Sequence, residues 1–103
     1  MKTEYKNKSK HGGIYQIMNL SNKRIYIGST KNFKERKRQH LAKLRAGKHP
    51  NYFLQRDFNK CGEEVFLFEV LEVKTNKTER IKSEQEFLDK FFDKQKKCYN
   101  LCP

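Results

Sequence analysis

Apolar residues recur in this chain with two different periods. Around Gly13-Ile14-Tyr15 and, eleven residues after Tyr15, around Tyr26-Ile27-Gly28, β-branched residues alternate with a tyrosine, as in a half-buried strand. Between them, Met18-Asn19-Leu20-Ser21-Asn22-Lys23 has the Asn and Ser content of a turn. Facing residues of an antiparallel pair have sequence numbers with a constant sum, and an odd sum places Tyr15, Ile17, Tyr26 and Gly28 on one face. The other face then carries Ile14, Met18, Ile25 and Ile27, interrupted by Gln16. An even sum would mix tyrosines with aliphatics, so the pattern predicts an N-terminal hairpin in the odd register. Taken alone, the tyrosines are equally accounted for as strand residues half-buried under a helix.

Helical spacing follows. Asn32 and Glu35 have capping-box spacing, opening a helix that runs to about Ala46 and stops at Gly47. Phe33, Leu41 and Leu44 form its apolar stripe, His40 lies on or beside that stripe, and Arg36 shares a face with His40 one turn earlier. A shorter helix is predicted with Pro50 in its first turn, carrying Tyr52, Leu54 and Phe58 to a stop at Gly62. Glu64 to Glu72 reads as a strand apolar on both faces, hence a central one. A third helix runs from about Thr78 to Phe92, with Ile81, Leu88 and Phe91 inward. Glu84 falls in the middle of that stripe. A carboxylate facing a core needs a cation, hydrogen-bond donors or a metal ion. An ion pair with Arg36, or a helix rotated enough to wet the side chain, would satisfy it without chemistry. The expected fold is α+β, a small three-stranded sheet made of the hairpin plus a central strand, flanked by about three helices.

Charge narrows the class of partner. The 103 residues make one domain, with 24 Lys and Arg against 12 Asp and Glu and a formal net charge of +12. Such an excess favours a polyanion. Val65-Phe66-Leu67-Phe68, the longest apolar run, is far too short to span a bilayer. Met1-Lys2-Thr3-Glu4-Tyr5 opens no signal peptide, so the expected setting is intracellular, cytoplasmic or nucleoid-associated. Residues 1–11 are expected to be a flexible basic tail ahead of a domain at 12–103. Cys61, Cys98 and Cys102 form neither a disulfide framework nor a zinc set. Lys31, Lys34, Lys37, Arg38, Lys43 and Arg45 crowd the first helix, and would form a cationic rim that holds nucleic acid by its phosphates.

The two hairpin words, with what lies downstream, resemble the GIY-YIG nuclease family. Members carry an Arg on the first helix, a His one turn later, a Glu on a later helix before an aromatic and an aliphatic residue, and an Asn near the end. Arg36, His40, Glu84 before Phe87-Leu88, and Asn100 occupy those places. His49 and the stretch Leu54-Gln55-Arg56-Asp57-Phe58-Asn59-Lys60-Cys61-Gly62 are similar to the phage-type homing endonucleases of the family. Phe87 stands where Trp is usual.

The resemblance implies a GIY-YIG catalytic domain that hydrolyses DNA phosphodiester bonds with one divalent cation, Mg²⁺ or Mn²⁺, held by Glu84. It implies that Arg36 grips the scissile phosphate, and that Tyr15 activates or orients the water with help from His40. Tyr26 would bond phosphate or water, Gly28 would let substrate approach, and His49 and Asn100 would support the site. Duplex DNA is the expected partner, held through phosphates and with no membrane involved. Specificity would come from a partner, an additional DNA-binding segment or DNA shape. The alternative is a non-catalytic or RNA-directed nucleic-acid-binding module of the same fold.

Overall fold

The computed structural model describes residues 1–4, 11–93 and 98–99. Strands β1 (Lys2–Glu4), β2 (Gly13–Asn19) and β3 (Ile25–Thr30) precede helices α1 (Phe33–Arg45) and α2 (Tyr52–Cys61). A one-turn 3₁₀ segment at Glu63–Val65 then leads to strand β4 (Phe66–Val73) and helix α3 (Lys77–Asp93). The sheet order is β1-β4-β2-β3, so β4 is interior, as its two apolar faces require.

The antiparallel trio β4, β2 and β3 is the three-stranded sheet expected from the sequence. Tyr15 faces Gly28 and Ile17 faces Tyr26, which is the odd register. The turn closes on Asn side chains: Ser21 N–H donates to Asn19 Oδ1 at 2.9 Å and Arg24 N–H to Asn22 Oδ1 at 2.9 Å, while Lys23 takes a φ of 63°. Between β2 and β4 the register slips at Ile14/Tyr15, a bulge that falls beside the first tyrosine.

Two apolar layers cover the sheet. Tyr15, Ile17, Phe66 and Phe68 pack with Phe33 and Leu44 of α1 and Leu54 and Phe58 of α2. On the reverse, Ile14, Ile25 and Ile27 pack with Cys98 and with Phe87 and Leu88 of α3. The alternation of β2 and β3 thus sends the tyrosines to one layer and the isoleucines to the other.

Several expectations need correction. Residues 2–4 form a strand parallel to β4, paired Lys2 to Leu67 through Glu4 to Glu69, rather than part of a flexible tail. The Met1 amino group adds an ion pair to Glu63 at 3.0 Å. The rest of the tail lies outside the described residues, apart from His11. Asn32 Oδ1 does cap α1 by accepting from Glu35 N–H at 3.1 Å. The reciprocal half of the capping box is absent, because Asn32 N–H donates to Thr30 Oγ1 at 3.1 Å and Glu35 pairs with Arg38 instead. Helix α2 begins after Asn51, whose Oδ1 accepts from Leu54 N–H at 3.0 Å, so Pro50 precedes the helix. Tyr52 is 70% exposed and Ile81 is 56% exposed, so neither is a core residue. Helix α3 instead turns Ser83, Phe87 and Leu88 inward, and Ser83 Oγ donates to Glu72 Oε1 at 2.9 Å.

Candidate active site

Tyr15 comes from β2, Tyr26 and Gly28 from β3, Arg36 and His40 from α1, His49 from the α1–α2 connection and Glu84 from α3. The odd register sets the two tyrosines side by side, and helical spacing brings Arg36 and His40 onto them. Tyr15 Oη lies 2.7 Å from His40 Nε2 and accepts a hydrogen bond from Arg36 Nε–H at 3.3 Å. His40 Nδ1 lies 2.8 Å from His49 Nε2, and the two imidazoles stack with centroids 5.0 Å apart. The Tyr26 ring meets both edge-on, at 5.3 Å from His40 and 5.9 Å from His49. The five groups form one contiguous wall.

Gly28 is needed by this wall. A Cβ there would sit 2.3 Å from Tyr15 Oη and 2.4 Å from Tyr15 Cζ, so the phenol fills the space a side chain would take. The glycine thus clears room for Tyr15.

Electrostatics sharpen the picture. Burial, with the positive charge of Arg36 next, holds His40 down to about 3, and burial with Lys43 and Arg36 holds His49 down to about 4. Both rings are therefore neutral at physiological pH. Burial pushes the Tyr15 and Tyr26 hydroxyls up, Arg36 pulls both down, and the Glu84 carboxylate pushes both up. Glu84 thus acts on both tyrosines although it arrives on the helix of the opposite layer. Among the described residues its half-buried carboxylate makes no hydrogen bond and no ion pair, so the Arg36 pair considered above does not form.

An arginine, two histidines and two tyrosines converge at one place, on elements in a fixed order, with the field of the Glu84 carboxylate reaching both tyrosines. The GIY-YIG catalytic domain family matches residues 11–99, which spans all of these positions. The chain belongs to the GIY-YIG family.

Two curated relatives of this GIY-YIG domain are endonucleases. Intron-associated endonuclease 1 of Enterobacteria phage T4 is 47% identical over 60 residues, 58% of this chain and 24% of that protein. Probable intron-encoded endonuclease 1 of Neurospora crassa is 41% identical over 61 residues, 59% of this chain and 19% of that protein. The chain spans a quarter or less of the length of these relatives. Among solved structures, a mutant of the catalytic domain of intron endonuclease I-TevI superposes with a TM-score of 0.75 at 36% identity, covering 84% of this chain and 89% of that one. A second structure of that catalytic domain gives 0.73 at 34% identity, covering 84% and 94%. The antiparallel trio with three helices is the fold of a GIY-YIG catalytic domain.

Around the GIY-YIG site the expected cationic rim is thinner than its composition. Arg38 is paired with Glu35, and Arg45 Nε donates to Glu63 Oε1 at 2.7 Å. Lys37 is half-buried with Glu63 and Arg45 in its field. Lys31, Lys34 and Lys43 are exposed and take part in no ion pair among the described residues. Asn100 lies outside the described residues. Its neighbour Tyr99 is buried, its O–H donating to Asp57 Oδ2 at 2.7 Å and accepting from Asn19 Nδ2 at 3.2 Å.

One carboxylate, Glu84, could serve a hard cation. No group of three His, Cys, Asp or Glu side chains among the described residues could cage a metal. Mg²⁺ does not need a cage: it keeps most of its waters and takes one or two carboxylates plus substrate oxygens. Glu84 is the carboxylate that could hold such an ion here. No helix among the described residues is long and apolar enough to cross a membrane.

Proposed function

We propose that this domain is a metal-dependent DNA endonuclease that cleaves phosphodiester bonds with little sequence preference of its own. The observations that carry the reading are the Tyr15–Arg36–His40 contacts and Glu84, a half-buried carboxylate with no hydrogen bond or ion pair among the described residues, whose field reaches both tyrosines.

Hydrolysis needs a placed water, charge on the phosphate neutralised and the leaving oxygen stabilised. Arg36 is held by Tyr15 at its Nε and by Gln39 Oε1 at its Nη1, 3.0 Å away, which fixes the plane of the guanidinium against a phosphate. Tyr15 and Tyr26 orient the attacking water and the phosphate oxygens. Mg²⁺ or Mn²⁺ held by Glu84 would supply positive charge to the leaving 3′ oxygen. Lys31, Lys34 and Lys43 hold the strand by its phosphates, contacts that carry no base information. Target choice then belongs to a separate segment or partner.

The test is supercoiled plasmid with and without Mg²⁺, using the domain and Glu84→Gln. Cleavage that needs Mg²⁺ and vanishes in a folded, DNA-binding Glu84→Gln variant is expected. A variant that still cuts would remove Glu84 from the metal role, and a parent domain that binds nucleic acid without cutting would leave a binding module.

A further inference from the structure

We infer that Asn51 is a positioning residue that fixes the direction of the His49–His40–Tyr15 chain, so that His40 gives Tyr15 a hydrogen bond rather than receiving its proton. This rests on the nuclease reading for its consequence, and on atom positions alone for its premise.

A backbone amide can only donate. The Asn51 N–H donates to His49 Nδ1 at 3.1 Å, so that ring nitrogen is bare. A neutral imidazole carries one proton, which in His49 must then lie on Nε2. That nitrogen faces His40 Nδ1 at 2.8 Å, which must be bare in turn, leaving the His40 proton on Nε2 and aimed at Tyr15 Oη, 2.7 Å away. Arg36 Nε–H donates to the same oxygen. A phenol oxygen has two lone pairs and one hydrogen, so both lone pairs are taken. The Tyr15 hydrogen points away from His40 and Arg36, toward the side where phosphate and water would bind.

The opposite direction is blocked. For His40 to accept from Tyr15, it would have to donate through Nδ1, and His49 would have to carry its proton on Nδ1. That proton would meet the Asn51 N–H head-on, with His49 only 7% exposed.

The aim of the Asn51 amide is itself fixed. Its Oδ1 caps α2, and its Nδ2 donates to the Tyr99 carbonyl at 3.2 Å. Gln55 holds the His49 side of the joint, accepting from His49 N–H at 3.0 Å while its Nε2 donates to the Leu44 carbonyl at 2.9 Å. Tyr15 accordingly acts as a donor to the substrate side, with two donors behind its oxygen.

Long-range ¹H–¹⁵N imidazole spectra of the protein at neutral pH test the premise without DNA or metal, so its failure is separable from failure of the nuclease reading. Both rings should be neutral and protonated on Nε2, and an Nδ1-protonated His40 would overturn the proposal. Asn51→Pro removes the amide hydrogen at a φ of −85°, near the range proline adopts. It should bring an Nδ1-protonated form of His49 into the spectrum and slow cleavage about tenfold, as loss of an outer hydrogen-bond partner does. Asn51→Ser, which keeps the amide and a capping oxygen, should keep both tautomers. Unchanged tautomers in a folded Asn51→Pro protein would also overturn the proposal. If that variant does not fold, the parent spectrum still decides.

Discussion

Replacing Gly28 with alanine tests the geometry of the site through one methyl group. The new Cβ would lie 2.3 Å from Tyr15 Oη and 2.4 Å from Cζ, where ordinary contact begins at 3.4 Å, so the phenol must retreat by about 1 Å. It has little room to do so. Its ring stacks on Phe68 with centroids 4.9 Å apart, and its oxygen is tied to His40 and Arg36. Overpacking of this kind costs about 1 to 3 kcal/mol. A shift of about 1 Å at a reacting group lowers turnover on the order of a hundredfold. Denaturant unfolding and plasmid cleavage at saturating Mg²⁺ measure the two effects separately. The control is the double variant. In a Tyr15→Phe background, itself slowed about a hundredfold by loss of a positioned hydroxyl, the alanine should cost little further activity, because the group it displaces is gone. Wild-type cleavage by Gly28→Ala, or fully additive losses in the double variant, would refute the claim that Gly28 serves Tyr15.

Other outcomes follow from the same contacts. His40 and His49 have folded values of about 3 and 4, below the unfolded value. Below an unfolded value of about 6.5 the unfolded chain binds more protons. Stability should therefore be at its plateau above pH about 6.5 and fall as pH drops toward 4, at up to about 3 kcal/mol per pH unit for two histidines together. Thermal melts of the parent and of His49→Gln measure this, and an acid slope unchanged by the substitution would rule out His49 as a contributor. Asp57→Ala should cost about 1 to 3 kcal/mol in urea unfolding, since it strands the buried Tyr99 hydroxyl, which donates to Asp57 Oδ2 together with the exposed Asn22 amide. With Arg38 and Arg45 engaged elsewhere, Arg36, Lys31, Lys34 and Lys43 neutralise about four phosphates, so log K for DNA should fall with a slope of about −3 to −4 against log salt. A slope near zero would remove the phosphate rim.

The sequence carried the elements whose signals are local. The odd register of β2 and β3 followed from separating Tyr15 and Tyr26 from Ile14, Ile25 and Ile27. The interior place of β4 followed from apolar residues on both its faces. Arg36 and His40 met because four residues make one helical turn. What was illegible depends on partners distant in the chain. Strand β1 has no alternation of its own and exists by parallel pairing with β4. Ile81 has the spacing of a core residue, yet α3 is rotated so that Ser83, Phe87 and Leu88 take the inward positions. Asn51 and Gln55 carry no catalytic signal, and placing Pro50 in the first turn hid the Asn51 cap. Asp57 looked like an ordinary helix charge. Its place between Leu54 and Phe58 was the available clue that it turns inward.

Tyr99 also bears on the order in which the chain is made. Its hydroxyl joins Asn19 and Asp57, its carbonyl joins Asn51, and its ring lies in the same apolar layer as Tyr15. A nascent chain on the ribosome has the whole wall by His49 and Glu84 soon after, but holds Asp57 and the Asn51 cap without their closing partner until residue 99 has emerged from the exit tunnel. The catalytic wall should therefore become rigid only at the end of synthesis of this domain. A fragment that stops between residues 84 and 98 would carry every one of those residues and still lack the latch that sets them.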